Sequence, residues 1–287
     1  MKQMFCRLRF TSILLLIMAI YPSFVNAQYT DISLSDIISA VQNNVAFLRE
    51  HIADFTSTEE ITIEEFNNKG KITKTTKIIS NYRAFPEIKQ QEQPSLILPG
   101  ILGEQREVLF VKENDKDKKI KEFLEPIFFS GRDGFTELFV WFDKQNEQHF
   151  DYSLDGIELV GERNTFKVKL SQNEIESGKT DDGRGSWNTR YQGVAWIDSE
   201  TMQVIKLNRD RLKVVFHSRN RRATEKYFST EYEYGKVIIK DQLLMLPIAK
   251  TVEILRDNEK LETLYKYKYS NHKAFTVDTN ITYGMAD

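Results

Sequence analysis

The sequence predicts an α+β fold dominated by antiparallel strands. Three observations carry this reading. One strongly amphipathic stretch near the start has helical periodicity. A long series of segments then alternates apolar and polar residues between short turns. Strand and helix patterns never alternate as βαβ units, which excludes a doubly wound parallel sheet.

Residues 1–27 are read as a leader rather than as part of the fold. Lys2, Arg7 and Arg9 precede the apolar run 11–24, and Val25 and Ala27 supply the small residues of a cleavage site. The run is shorter than the ~20 residues a membrane span needs. The exported chain is therefore expected to begin near Gln28, to lie in the periplasm or outside the cell, and to span no membrane. The single cysteine, Cys6, lies ahead of the apolar run. Disulfides, cysteine metal sites and a lipidated cysteine are thus all excluded from the exported chain. Loss of the three basic residues takes the net charge from −2 to about −5, a balance that argues against nucleic acid as a partner.

The exported residues, 28–287, are read as one domain. In residues 33–55, Leu34, Ile37, Ile38, Val41, Val45, Leu48, Ile52 and Phe55 form one apolar stripe, and Ser33 or Ser35 can cap the helix. Residues 58–85 read as strands turning at Asn67–Gly70, and 106–114 as another strand. Residues 156–172 read as two short strands. Residues 191–212 form a hairpin around Ser199, Glu200 and Thr201. Residues 211–237 form a longer hairpin with a basic tip, and 242–275 close the series. In the last of these, Leu261, Thr263, Tyr265, Tyr267 and Tyr269 share one face, as a strand with one wet side requires.

Two stretches depart from alternation. Residues 95–104 put Leu96, Ile97, Leu98, Ile101 and Leu102 around a Pro99-Gly100 turn, an apolar loop. From Phe135, a helix holding Leu138, Phe139, Trp141 and Phe142 is apolar almost all round and must be buried on several sides. Phe135, Leu138, Phe139, Trp141, Phe142, Leu98, Ile101 and Leu102 are the candidates for lining a ligand cavity.

No motif marks an enzyme. The four histidines are scattered, and there is no nucleophile elbow, phosphate loop or dinucleotide fingerprint. No catalytic residue, metal ligand or cofactor is expected, although acids are abundant and a carboxylate pair formed in space leaves a hydrolase as the weakest alternative. "DDGRGSW" (181–187) reads as a flexible turn, and 113–122 as a solvated charge run. Arg209, Arg211, Lys213, Arg219, Arg221 and Arg222 form the densest basic patch. They are candidates for an anion or lipid-headgroup contact, against the plainer reading of a wet strand face with a charged tip.

In the 191–212 hairpin, Val194 and Trp196 project from one face and Gly193 and Ala195 keep the other thin. Trp196 is expected to pack inward. The phrase "GVAWIDSETMQVIKL" resembles a strand-turn-strand phrase of the LolA/LolB lipoprotein-carrier-like superfamily. "LLMLPIAKTVEI" and "YKYSNHKAFTVDTNITY" resemble closing strands of uncharacterised exported proteins of that type. The resemblance implies a strongly curved, unclosed β-barrel with helices covering its concave face. It also implies a concavity that binds a hydrophobic ligand, a lipid or the acyl chain of a lipoprotein, without catalysis. The alternative is a structural or sensory module that fills its own cavity and meets another envelope protein.

Overall fold

The computed structural model describes residues 32–52, 54–86, 102–120, 135, 137–173, 176–179, 186–189, 191–218, 221–256 and 260–275. Residues 1–39 and 40–287 form two compact units. The described part of the first holds the start of helix α1 (Leu34–His51). Ser33 caps it reciprocally: its hydroxyl accepts from the Asp36 amide at 3.2 Å, and the Asp36 carboxylate accepts from the Ser33 amide at 3.2 Å. The Ser33 hydroxyl and amide hold the Asp36 carboxyl below its usual pKa.

The second unit is built on a sheet of eleven strands among the described residues. They are β1 (Phe55–Phe66), β2 (Ile72–Pro86), β3 (Leu102–Glu113), β4 (Lys116–Asp117), β5 (Phe150–Val160) and β6 (Arg163–Gln172). After two short strands, β7 (Glu176–Lys179) and β8 (Ser186–Thr189), come β9 (Tyr191–Asp198), β10 (Val204–Ser218), β11 (Arg221–Ile239), β12 (Gln242–Leu255) and β13 (Leu261–Ala274). The spatial order is β4-β3-β2-β1-β13-β12-β11-β10-β9-β6-β5, and β7 and β8 pair separately. Every pairing is antiparallel. The first strand lies beside the last, and the outer strands β4 and β5 do not meet, so the sheet is a strongly curved, open barrel. Helix α2 (Glu137–Phe142) lies on its concave face.

Alternation sets which side chains point inward. Ile61, Ile63, Ile78, Phe166, Val168, Leu170, Ala195, Leu207, Val252, Tyr267 and Tyr269 are buried on the concave side. Two of the turns are those read from the sequence. Asn67 accepts from the Lys69 and Lys71 amides at 2.9 and 3.1 Å, and Gly70 has φ +72°. Asp198 likewise accepts from the Glu200 and Thr201 amides at 2.9 and 3.0 Å, closing the β9–β10 hairpin.

At the free margin, β5 is paired only with β6 among the described residues. A bulge interrupts its register between Leu154 and Gly156, whose φ is +124°. Leu154, Ile157 and Leu159 are exposed along this strand.

Four expectations are corrected. Helix α1 ends at His51 rather than running to residue 55, and Phe55 opens β1. Asp54 draws the chain out of the helix: its carbonyl accepts from the Phe275 amide at 2.9 Å and its carboxylate holds Arg83. Residues 102–104 begin β3 instead of closing an apolar loop. Ser186 and Trp187 lie in β8 instead of a turn. Trp196 does not point inward. It pairs with Lys167 and Lys206 across the convex face, with their ammonium groups 5.8 and 5.2 Å from its ring, while Ala195 and Ile197 take the buried face. Strong curvature crowds the concave side, so the small residue goes in and the large ring goes out, where lysines border it.

Candidate functional site in the sheet concavity

Helix α2 is short, and an isolated six-residue helix is unstable in water, so contacts with the sheet must hold it. Phe135, just before it, enters a box made by Phe55, Tyr82 and Tyr269, with ring centroids 5.1–5.2 Å apart. Trp141 packs on Phe150 at 4.7 Å and Phe142 stacks on Tyr152 at 6.0 Å. Thus α2 and Phe135 reach from β1 and β2 to β5 across the concave face. Phe135, Leu138, Phe139, Trp141 and Phe142 are each at most 4% exposed. Each such ring or aliphatic chain contributes about 1.5–3 kcal/mol by leaving water.

The helix end is capped from nearby. Asn146 donates to the carbonyls of Phe139 and Val140 at 3.2 Å, and the Tyr152 hydroxyl donates to the Trp141 carbonyl at 2.7 Å. Burial pushes the Tyr152 phenol above its usual pKa, with Glu147 adding to the rise, which keeps the donor protonated. From the other side the second half of α1 clasps the same region. Arg49 pairs with Asp143 and lies 5.6 Å from the Phe139 ring. Asn44 donates to the carbonyls of Thr201 and Met202 at 3.1 and 2.7 Å, tying α1 to the β9–β10 turn.

Charged residues also lie on the concave face. The Glu137 carboxylate, in a residue 1% exposed, accepts from Trp141 Nε1 at 2.7 Å, from Arg209 Nη1 at 2.7 Å and from the Tyr232 hydroxyl at 3.4 Å. Arg209 also lies 5.4 Å from the Tyr191 ring. On β1 and β3, Glu59 takes Arg106 in a forked pair at 2.8 and 3.2 Å. Burial opposes the Arg106 charge, and the Glu59 carboxylate more than offsets it, so that guanidinium stays protonated. Glu104 lies 3.2 Å from Arg106, and burial raises its pKa against the attraction of Arg106 and Lys250. Lys250 lies between the rings of Tyr232 and Tyr267, at 5.7 and 5.0 Å.

The sequence-derived cavity candidates thus divide. Phe135, Leu138, Phe139, Trp141 and Phe142 come together on the concave face. Leu98 and Ile101 lie outside the described residues, as does the side chain of Leu102. Of the basic patch, Arg209 is buried at 8% exposure rather than on a wet face. Arg219 and the side chains of Arg211, Arg221 and Arg222 are outside the described set. Sequence reasoning missed Glu137, Tyr232, Glu59, Glu104, Arg106 and Lys250. The signal was phase. Glu59 follows Phe55 and Ser57 and precedes Ile61 and Ile63, Arg209 follows Ile205 and Leu207, and Lys250 precedes Val252 and Ile254, all at alternate positions. A charge standing in the apolar phase of a strand is a buried charge that needs a partner.

Between α1 and the sheet, Val41, Val45, Phe47, Leu48, Leu138, Val204, Leu244 and Met245 line a cavity of about 40 Å³. That is room for about one water molecule, not for an acyl chain.

No protein-family model matches the chain, and no curated protein matches it. Solved structures similar to it include a LolA superfamily protein from Nitrosomonas europaea, with 12% identity, a TM-score of 0.33, 86% of this chain covered and 95% of that one. A structure described as an outer membrane lipoprotein-sorting protein domain from Vibrio parahaemolyticus gives 10% identity and a TM-score of 0.36, with coverage of 85% and 93%. A DUF1329 family protein from Desulfovibrio piger gives 12% and 0.33, with coverage of 87% and 95%. Among the described residues, no helix is long and apolar enough to cross a membrane.

Proposed function

We propose that this is an exported, periplasmic binding protein without catalytic activity, and that it takes a hydrophobic ligand, a lipid or the acyl chain of a lipoprotein, in the concavity of its sheet. The observation that carries the reading is α2. A short helix places Phe139, Trp141 and Phe142, with Phe135 before it, between strands that bury them from water. The concave face is therefore built to hold a large apolar body, and the helix marks where such a body sits. The family resemblance of the β9–β10 phrase supports the same reading.

The small cavity under α1 supports a second reading, in which the interior is filled by its own side chains and the protein is a structural or sensory module for another envelope protein. The two differ in whether α2 can leave. Brominated acyl chains distinguish them, with Trp187 and Trp196 replaced by Phe so that Trp141 alone reports. Saturable quenching of Trp141 at micromolar chain concentration, about −8 kcal/mol, is the outcome expected of a carrier. No saturable quenching, with Trp141→Ala lowering stability alone, leaves the module.

A further inference from the structure

We propose that the convex face carries a separate binding site, an open trough across β3, β2, β1 and β13 that takes a short neutral saccharide. The trough has a volume of about 880 Å³. That lies within the ~300–1,000 Å³ usual for small-molecule sites.

Its shape follows from side-chain length. Pairing sets Thr56 beside Arg83 and Gln105, and Thr58 beside Asn81 and Glu107. These residues alternate with the buried Phe55, Ser57, Tyr82 and Ala84, so they stand on the convex face. On the middle strands Thr56, Thr58 and Asn81 are short. On the flanking strands the longer Gln105, Glu107 and Lys273 make the walls. Arg83, the long side chain of the middle strands, is drawn towards Asp54 and Phe275, just beyond the ends of β1 and β13. Its Nε donates to the Asp54 carboxylate at 2.9 Å, and its guanidinium lies 3.6 Å from the centre of the Phe275 ring. It therefore closes one end of the trough instead of filling it. A bulge in β13 opposite Thr56 and Thr58 brings Asn271, with φ +55°, to the same place, where its Nδ2 donates to the Thr58 hydroxyl at 3.3 Å.

Hydroxyl and carboxamide groups both donate and accept. Asn81 spends one N–H on Glu107 at 3.0 Å, which among the described residues leaves its carbonyl oxygen and other N–H for a ligand. Gln105 keeps an exposed carboxamide. The formal charges cancel, Lys273 against Glu107 and Arg83 against Asp54, so an ion gains no net attraction. An apolar body would strip water from these groups without replacing its hydrogen bonds. A peptide finds no sheet edge here, because β1, β2, β3 and β13 are each paired on both sides along the floor or walls. A saccharide brings hydroxyls around each ring, and adjacent strands stand ~4.8 Å apart, about the width of such a ring.

Titration of the purified protein with chitotriose and with maltotriose, followed by amide NMR shifts, tests this. At least one is expected to bind saturably at about millimolar concentration or below and to shift the amides of Thr58, Asn81 and Gln105. Gln105→Ala, at an exposed position, is expected to weaken binding about threefold to tenfold. Thr58→Tyr puts a ring on the floor and is expected to abolish binding, with the thermal midpoint reporting that the variant is folded. Saturation by neither saccharide overturns the proposal, as does binding that both variants leave unchanged. Trialanine shifting the same amides in place of the saccharides overturns it in favour of a peptide. None of these outcomes bears on the concavity, whose Trp141 lies on the opposite face of the sheet.

Discussion

The Glu137 carboxylate lies 2.7 Å from the Arg209 guanidinium, 72 residues further along the chain, and both side chains are buried. This pair fastens the helix inside the concavity to strand β10. A buried pair is costly to break from one side, because the remaining charge loses its opposite charge while water stays excluded.

Glu137→Ala is therefore expected to lower unfolding stability by about 3–5 kcal/mol. Replacing both residues by methionine is expected to restore most of that loss. Denaturant melts of the two single variants and the double variant check this. Additive losses would mean that the pair is not coupled.

Glu104 should make stability depend on pH. Its unfolded carboxyl titrates near 4.5, and burial raises the folded value against Arg106, Lys250 and Tyr82, with Glu59 adding to the rise. The folded state then keeps a proton that the unfolded state has released. This contribution to folding is complete below the unfolded pKa and is lost as pH rises through the folded one. Glu104→Gln is expected to gain stability over the parent progressively above about pH 4.5. Urea midpoints measured across that range would refute it if the two proteins ran parallel.

Trp196→Ala is expected to cost about 1–2 kcal/mol, because the indole lies on the convex face and its two lysine contacts contribute about 0.5–1 kcal/mol each. Trp141→Ala, with the ring enclosed, is expected to cost about 3–5 kcal/mol. Equal losses at the two positions would contradict the assignment of faces.

Gly193 lies opposite both Leu170 and Arg209. A Cβ there would stand 2.5 Å from the Asn208 carbonyl oxygen. Gly193→Ala should lower stability by about 1–3 kcal/mol, read as a lower thermal midpoint. An unchanged midpoint would show that β9 and β10 can separate freely.

Much of the sheet was legible because strand signals are local. The turns at Asn67–Gly70 and Ser199–Thr201 carry their own side-chain chemistry, and the Tyr265–Tyr269 alternation reports one wet and one dry face. Which face is dry was less legible. For β9 the large ring suggested the interior, and curvature, which depends on all the strands together, reversed the choice. The α2 aromatics stood out by composition. Their partners did not, since Glu137 and Arg209 meet only after strands β5 to β9, which separate them in sequence, have been placed. Arg209 sat beside Arg211 and Lys213 in sequence and so read as one of a wet set, though its phase with Ile205 and Leu207 was the better guide.

The kink in β5 bears on how copies of this protein meet one another when crowded. A margin bearing Leu154, Ile157 and Leu159 is adhesive, and an unbroken row of amides would let a second copy add its own strand and then a third. At Gly156 the row is out of step, and Asp151, Asp155 and Glu158 put acids along the same strand. Two such margins laid antiparallel about the bulge meet with their amides mismatched at the centre. Growth into fibres is thereby opposed at the first docking step, and removal of Asp155 alone, which takes out the extra residue of the bulge, would weaken that opposition.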